Sequence, residues 1–143
     1  MSKGDTFEND LLKLIFQATA IANIADNAAA SPLTSLYVSL HTADPGEAGN
    51  QGTNEISYTG YSRVAVTRSS GGWTVTGNSV SPAATITFGA MSGGTGGTAT
   101  HAGVGTASSG TGKLLYKGAL TPTISVTTGV TPQIGTSSTI TED

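Results

Sequence analysis

The chain changes its hydrophobic period once. Over residues 7–27, Leu11, Leu14, Ile15, Ala18, Ile21, Ala22 and Ala25 recur at helical spacing and form one apolar stripe. Phe7, Leu12, Phe16 and Ile24 widen it beyond the face that a single packing surface covers. The spacing predicts a helix over 7–27. Its width predicts two partners, the chain's own β domain and a neighbouring subunit. Asp5 with Glu8 has the form of a capping box, and Asp10 adds negative charge to a first turn that favours it. Residues 1–6 are a polar start that only a partner would order. Ser31-Pro32 closes the helical region, because the residue before proline avoids the α basin.

Beyond Pro32 the period becomes two. Leu36, Val38 and Leu40 alternate with Tyr37, Ser39 and His41, the pattern of a half-buried strand, and Asp44-Pro45-Gly46 is a strong turn signal. Further strands are predicted at Glu55–Tyr58, Tyr61–Arg68, Trp73–Thr76, Ala84–Phe88, Thr98–Thr106, Lys113–Lys117, Ile124–Thr127, Thr131–Ile134 and Ser138–Thr141. Gly71-Gly72, Gly77-Asn78, the glycine-rich stretch 93–97, Gly110 to Gly112, and Gly129 punctuate them. Short strands spaced roughly ten residues apart, with no second long helical pattern to supply crossovers, predict an antiparallel β-sandwich or jelly roll. The expected fold is therefore mainly β with one N-terminal amphipathic α-helix. The expected organisation is an arm and helix over 1–30, for docking or oligomerisation, and a β-sandwich domain over 31–143.

Composition narrows the chemistry. Only 10% of residues are charged, against about 25% in an ordinary soluble domain. From Ser31 onward the carboxylates are Asp44, Glu47, Glu55, Glu142 and Asp143, the histidines are His41 and His101, and cysteine is absent. Acid–base, nucleophilic and metal chemistry need such groups clustered, so no enzyme activity, cofactor or metal is expected. The net charge of −3 and the scattered basic residues give no footprint for nucleic acid. Lys13, Gln17, Asn23, Asp26 and Asn27 interrupt residues 11–30, so no membrane span is expected there, and no basic n-region runs directly into an apolar block, so no signal peptide is expected.

Motif by motif, the bland reading is favoured. Residues 105–113 imitate a phosphate-binding loop, but the required first glycine falls on Ala107 and the required hydroxyl on Leu114, so a hairpin turn is predicted. Ser39, His41 and Asp44 are close in sequence without a nucleophile elbow, and His41 reads as a solvent-side strand residue beside a turn. His101 also reads as structural. Arg63 and Arg68, five apart on one predicted strand, point to opposite faces and read as edge or interface residues. Trp73 reads as core, with a partner anchor as the other option. The candidate partner-contact set is Phe7, Leu11, Leu12, Ile15, Phe16, Arg63, Arg68 and Trp73.

The stretch Leu33-Thr-Ser-Leu-Tyr-Val-Ser-Leu-His-Thr-Ala-Asp-Pro-Gly46, followed by Tyr58-Thr-Gly-Tyr-Ser-Arg-Val-Ala-Val66 and by Trp73-Thr-Val-Thr-Gly77, resembles a family of small tailed-phage virion proteins. Members are often labelled loosely as tail-fibre proteins. The chain also resembles the jelly-roll cement, or decoration, proteins on the capsids of some short-tailed phages. These strings carry no chemistry, so no functional residue transfers. The resemblance implies a non-enzymatic virion subunit on the capsid surface, assembled in the bacterial host cytoplasm, that reinforces the shell. The implied partners are the major capsid protein and further copies of itself, with no nucleic acid or membrane. The alternatives are a tail-fibre or baseplate component and a carbohydrate-binding jelly roll.

Overall fold

A computed structural model of the chain describes residues 5–21 and 32–142. The chain forms two compact units. One comprises Met1–Ser35, Val66–Thr85 and Gly135–Asp143; the other comprises Leu36–Ala65 and Ile86–Ile134. The units do not follow a cut near residue 30, because the helix shares the first of them with strands from the middle and end of the chain.

That first unit holds helix α1 (Asp5–Gln17) and strands β3 (Trp73–Thr76), β4 (Ser79–Pro82) and β9 (Ile140–Thr141). β3 and β4 form a hairpin on the two-residue turn Gly77-Asn78, with Thr76 opposite Ser79, and β9 adds to the far side of β4. Such a turn needs a positive φ, and Gly77 sits at +60°. The sequence pattern marked this turn but missed β4, whose Ser-Val-Ser-Pro run is too short to show a period. α1 lies across β3 and β4. Glu8, Leu12 and Phe16, one turn apart, form its buried row. The Phe16 ring meets the buried indole of Trp73 edge-on, with centroids 4.7 Å apart. Asn9 donates to Gly77 O at 2.6 Å and Gln17 to Trp73 O at 3.2 Å, so both ends of the helix are tied to the hairpin.

The helix is shorter than its apolar pattern. It ends at Gln17, where Ala18 turns to a φ of +55°. The residues predicted helical at 22–27, the Ser31 boundary and the start at 1–4 lie outside the described residues. The buried row also differs from expectation. Leu11, Leu14 and Ile15, in the predicted stripe, are only half-buried, whereas Leu12 and Phe16, read as its widening, are the core. Apolar spacing identified a helix but left its rotation about its own axis open by one residue.

The second unit holds β1 (Ser35–His41), β5 (Ile86–Thr87), β6 (Gly97–Gly105), β7 (Leu114–Val126) and β8 (Gln133–Ile134), while β2 (Val64–Thr67) runs out of it. A four-stranded sheet has the order β2-β1-β6-β7, and β5 pairs with β8. The pairings β1–β6, β6–β7 and β5–β8 are all antiparallel. Leu36, Val38, Leu40, Ile56, Phe88, Met91, Val104, Val126 and Ile134 fill the core. The chain is mainly β with antiparallel sheets and one N-terminal helix, consistent with the predicted β-sandwich class.

Three details depart from the predicted strands. β1 is buried on both faces from Val38 to His41, because it is a central strand and the loop through Thr53 covers its polar side. The segment predicted as a strand at Glu55–Tyr58 makes only one bridge to it, His41 to Glu55. The strands predicted at Lys113–Lys117 and Ile124–Thr127 are one strand, β7. Its ladder slips between the pairs Ala99–Ile124 and His101–Ala119, so residues 120–123 bulge out opposite Thr100. β7 is a sheet edge, and this bulge, Lys117 and Pro122 are the devices that keep exposed edges from pairing indiscriminately.

Truncating the buried ring by Phe16→Ala should lower unfolding stability by about 3–5 kcal/mol, the cost of a core aromatic cavity. Phe7→Ala, on a helix residue that is 40% exposed, should stay within about 0.5 kcal/mol of the parent. Denaturant titration of both variants checks this, and equal losses would contradict the placement of the buried row.

Candidate functional site

The densest cluster of chemistry-bearing side chains lies in the second unit, around Arg63. Its guanidinium is buried, with a side-chain exposure of 2% against 18% for its partner Glu55. A buried guanidinium is tolerated only when its donors are paired. Nε donates to Glu55 Oε1 at 2.8 Å and Nη2 to Oε2 at 2.7 Å, a two-pronged pair. Nη1 donates to Ala107 O at 3.0 Å, and Nη2 also to Gly110 O at 2.6 Å. The hydrogen bonds to Glu55 hold the guanidinium above its ordinary pKa.

Tyr61 completes the cluster. Its hydroxyl donates to Glu55 Oε1 at 2.8 Å and accepts from Leu40 N–H at 3.1 Å. Burial holds this phenol far above its ordinary pKa. Its ring stacks on Phe88, with centroids 6.1 Å apart, and tilts against Tyr58. Tyr61 and Arg63 sit two residues apart, so one carboxylate reaches both.

A second polar knot lies on β1. Ser39 and His41 share a strand face, as their spacing predicts, and Ser39 Oγ lies 2.9 Å from His41 Nε2. His41 Nδ1 is 2.8 Å from Thr53 O. A carbonyl only accepts, so Nδ1 carries the proton and neutral Nε2 accepts from the serine. A hydroxyl facing an unprotonated imidazole is the geometry of an activated nucleophile. Here a backbone carbonyl stands where a carboxylate would orient the ring, and both side chains have no exposed surface. His41 is therefore a core residue rather than the solvent-side residue expected from the sequence. Burial, the largest influence, lowers its pKa; the Thr53 hydrogen bond and Glu55 oppose it more weakly.

Gln51 is a further buried polar side chain of this unit. Its amide donates to Tyr37 O at 3.1 Å and accepts from Ala107 N–H at 2.9 Å. Side chains at Gly105 or Gly112 would overlap it, so those glycines supply room for Gln51. The phosphate-loop imitation at 105–113 is indeed a hairpin loop, joining β6 to β7. Arg63 and Gln51 clamp it from beneath, and Thr106 N–H bonds to Lys113 O.

Arg68, Lys117, Asp44 and Glu47 also have structural partners. In the first unit Arg68 donates to Leu14 O, Ile15 O and Leu33 O at 2.7–2.8 Å. It takes two carbonyls that α1 leaves open at its C-terminus and sets a positive charge at the negative end of the dipole. Thr19 N–H takes Lys13 O. α1 has no basic residue in its own last turn, so this cap comes from a distant part of the chain. On the surface of the second unit, Lys117 Nζ bonds Asp44 at 3.0 Å and Glu47 at 3.1 Å. Asp44 also accepts from Gly46 N–H, fixing the predicted turn, and its pKa is lowered first by that bond and then by Lys117. Among the described residues no three His, Asp or Glu side chains gather as a metal set.

Of the candidate contact residues, Leu12, Phe16, Trp73 and Arg63 are buried within their own units, and Arg68 is a half-buried helix cap. Leu11 and Ile15 are half-buried, and Phe7 offers open apolar surface. Sequence reasoning missed Gln51 altogether, since a glutamine in an Asn-Gln-Gly stretch reads as solvent-facing. The Tyr61–Arg63 spacing was a usable signal once Glu55 lay opposite.

Arg63→Met should destabilise the chain by about 3–5 kcal/mol, because it leaves the Glu55 carboxylate and two loop carbonyls without their buried partner. The Arg63→Met, Glu55→Gln double variant should recover part of that loss in denaturant titrations. His41 adds a pH signature. Its folded pKa lies below the ordinary 6.5, so below that pH the unfolded chain takes up a proton that the folded chain resists. Stability is therefore complete above about 6.5 and falls as pH drops toward the lowered folded value. Thermal melting across that window should show the decline, and His41→Asn should flatten it.

The family described as podophage GP4 fiber I protein gp80 matches residues 3–141. No curated protein matches the chain. The match takes in all ten described helix and strand elements, the buried Arg63 cluster, the Arg68 helix cap and the clamped hairpin loop, and it supports a short-tailed phage virion protein. The chain belongs to the podophage GP4 fiber I protein gp80 family.

Proposed function

We propose that this chain is a non-catalytic structural subunit of the virion's fibre apparatus, assembled from repeated copies. The observation that carries the reading is the family match across nearly the whole chain, whose description names a fibre protein. The engagement of its ionisable groups supports a structural role. Arg63, Glu55, Arg68, His41, Asp44 and Lys117 each hold backbone or one another in place, and Ser39–His41 has no exposed surface for a substrate. The low charge and the many Thr and Ser side chains suit wide polar contacts between subunits that tolerate salt. The same surface would serve a capsid cement protein bound to the major capsid protein, so particle behaviour must separate the two positions.

Particles assembled without this protein should keep the heat and osmotic resistance of complete ones and fail to adsorb to cells. Cryo-electron microscopy of complete particles should find the missing density on the tail. Normal adsorption with rupture at lower temperature, and density spread over the shell, would reject the fibre position and favour cement.

A further inference from the structure

We propose that a cavity in the second unit, between Ser57-Tyr58-Thr59 and Gly94-Thr95-Gly96, is a binding site for a neutral saccharide. It is a shallow cavity, open to solvent, with a volume of about 540 Å³, room for one or two sugar rings held at the surface. Its lining contains no Asp, Glu, Lys, Arg or His, which leaves nothing to neutralise a phosphate, carboxylate or ammonium group. Three hydroxyls, of Ser57, Thr59 and Thr95, border the space, and among the described residues none has an intramolecular partner. Ser57, Thr59 and Thr95 are exposed, so their hydroxyls are open to a ligand. A hydroxyl both donates and accepts, which suits a ligand that is itself a dense array of hydroxyls. Tyr58 closes the floor, but its ring is buried against Tyr61 and its hydroxyl donates to Gly89 O at 2.9 Å, so recognition rests on the three hydroxyls.

The walls are fixed before any ligand arrives. Thr59 N–H donates to Gly93 O and Ser92 N–H to Thr59 O, both at 2.9 Å, so the two loops are stitched together like a short ladder. Ser92 Oγ adds a third bond to Thr59 O at 3.2 Å. Gly96, at φ +65°, presses so close to Val126 O and the Met91 sulfur that any side chain would overlap them. The glycine-rich stretch is thus a pinned rim. Pre-set hydroxyls cost less ordering entropy on binding, which matters for a ligand that gains little from burial of apolar surface. The cavity depends on the fold of this unit alone, so the inference stands whichever part of the particle carries the chain. In a fibre of many copies, weak single sites would combine into firm attachment.

Saturation-transfer NMR on the full chain tests the assignment. The probes are neutral oligosaccharides of hexose, deoxyhexose and N-acetylhexosamine types, with sialylated and sulfated glycans as charged controls. At least one neutral glycan should bind. Ser57→Ala and Thr95→Val should each weaken it by roughly three- to tenfold, the value of one hydrogen bond. Ser57→Trp should abolish binding by filling the mouth. Residues 57 and 95 are exposed, so all three variants should melt like the parent. Failure of every neutral glycan to bind, binding of charged glycans alone, or equal binding by the Ser57→Trp chain would overturn the proposal.

Discussion

The buried guanidinium of Arg63 is the constraint on which the second unit is organised. A cation without water must find an acceptor for each donor, and no single element of this unit supplies enough of them. Glu55 comes from the segment bridged to β1, and Ala107 O and Gly110 O come from the β6–β7 loop. Satisfying one side chain therefore ties the neighbouring Glu55 and Arg63 segments to a loop that begins 44 residues beyond Arg63. Tyr61 extends the knot to β1 through Leu40 N–H, and Gln51 repeats the device on the same hairpin loop. Apolar burial supplies the larger share of stability in such a core, but it is indifferent to register. These polar bonds are not, and they allow one arrangement of glycine-rich loops that carry few apolar anchors of their own.

The first unit solves a different problem with the same residue type. A helix of 13 residues is marginal by itself in water. It is held by Leu12 and Phe16 against the hairpin and by Arg68 across its final carbonyls. Among the described residues, the indole N–H of Trp73 is the one buried side-chain polar group without a hydrogen-bond partner. That cost is accepted for the edge-on contact with Phe16 and nearly full burial of the largest side chain in the protein.

A chain with so few charges has placed most of the informative ones inside or in surface clusters with short local partners. Much of what remains outside is hydroxyl and glycine, and the bulge and proline of β7 resist unplanned strand pairing.

Period alone determined much of this protein. The switch from 3.6 to two at Pro32, the turn at Asp44-Pro45-Gly46, the Gly77-Asn78 reversal and the lack of a second long helical pattern in the sequence fix the class and most strand positions, because those signals are local. The structure decided what depends on distant neighbours. Which row of α1 faces inward follows from the position of Trp73, 57 residues beyond Phe16 in the chain. Where the helix stops follows from Ala18 and from carbonyls taken by Arg68, not from the apolar stripe, which continues. Arg63 and His41 looked like surface residues because a polar side chain in a strand pattern normally faces water. Only the fold shows the carboxylate, carbonyls and hydroxyl that make their burial affordable, and only the fold brings Ser57 and Thr95 to the rim of one cavity. Long-range pairing carries no period, so a single sequence does not display it.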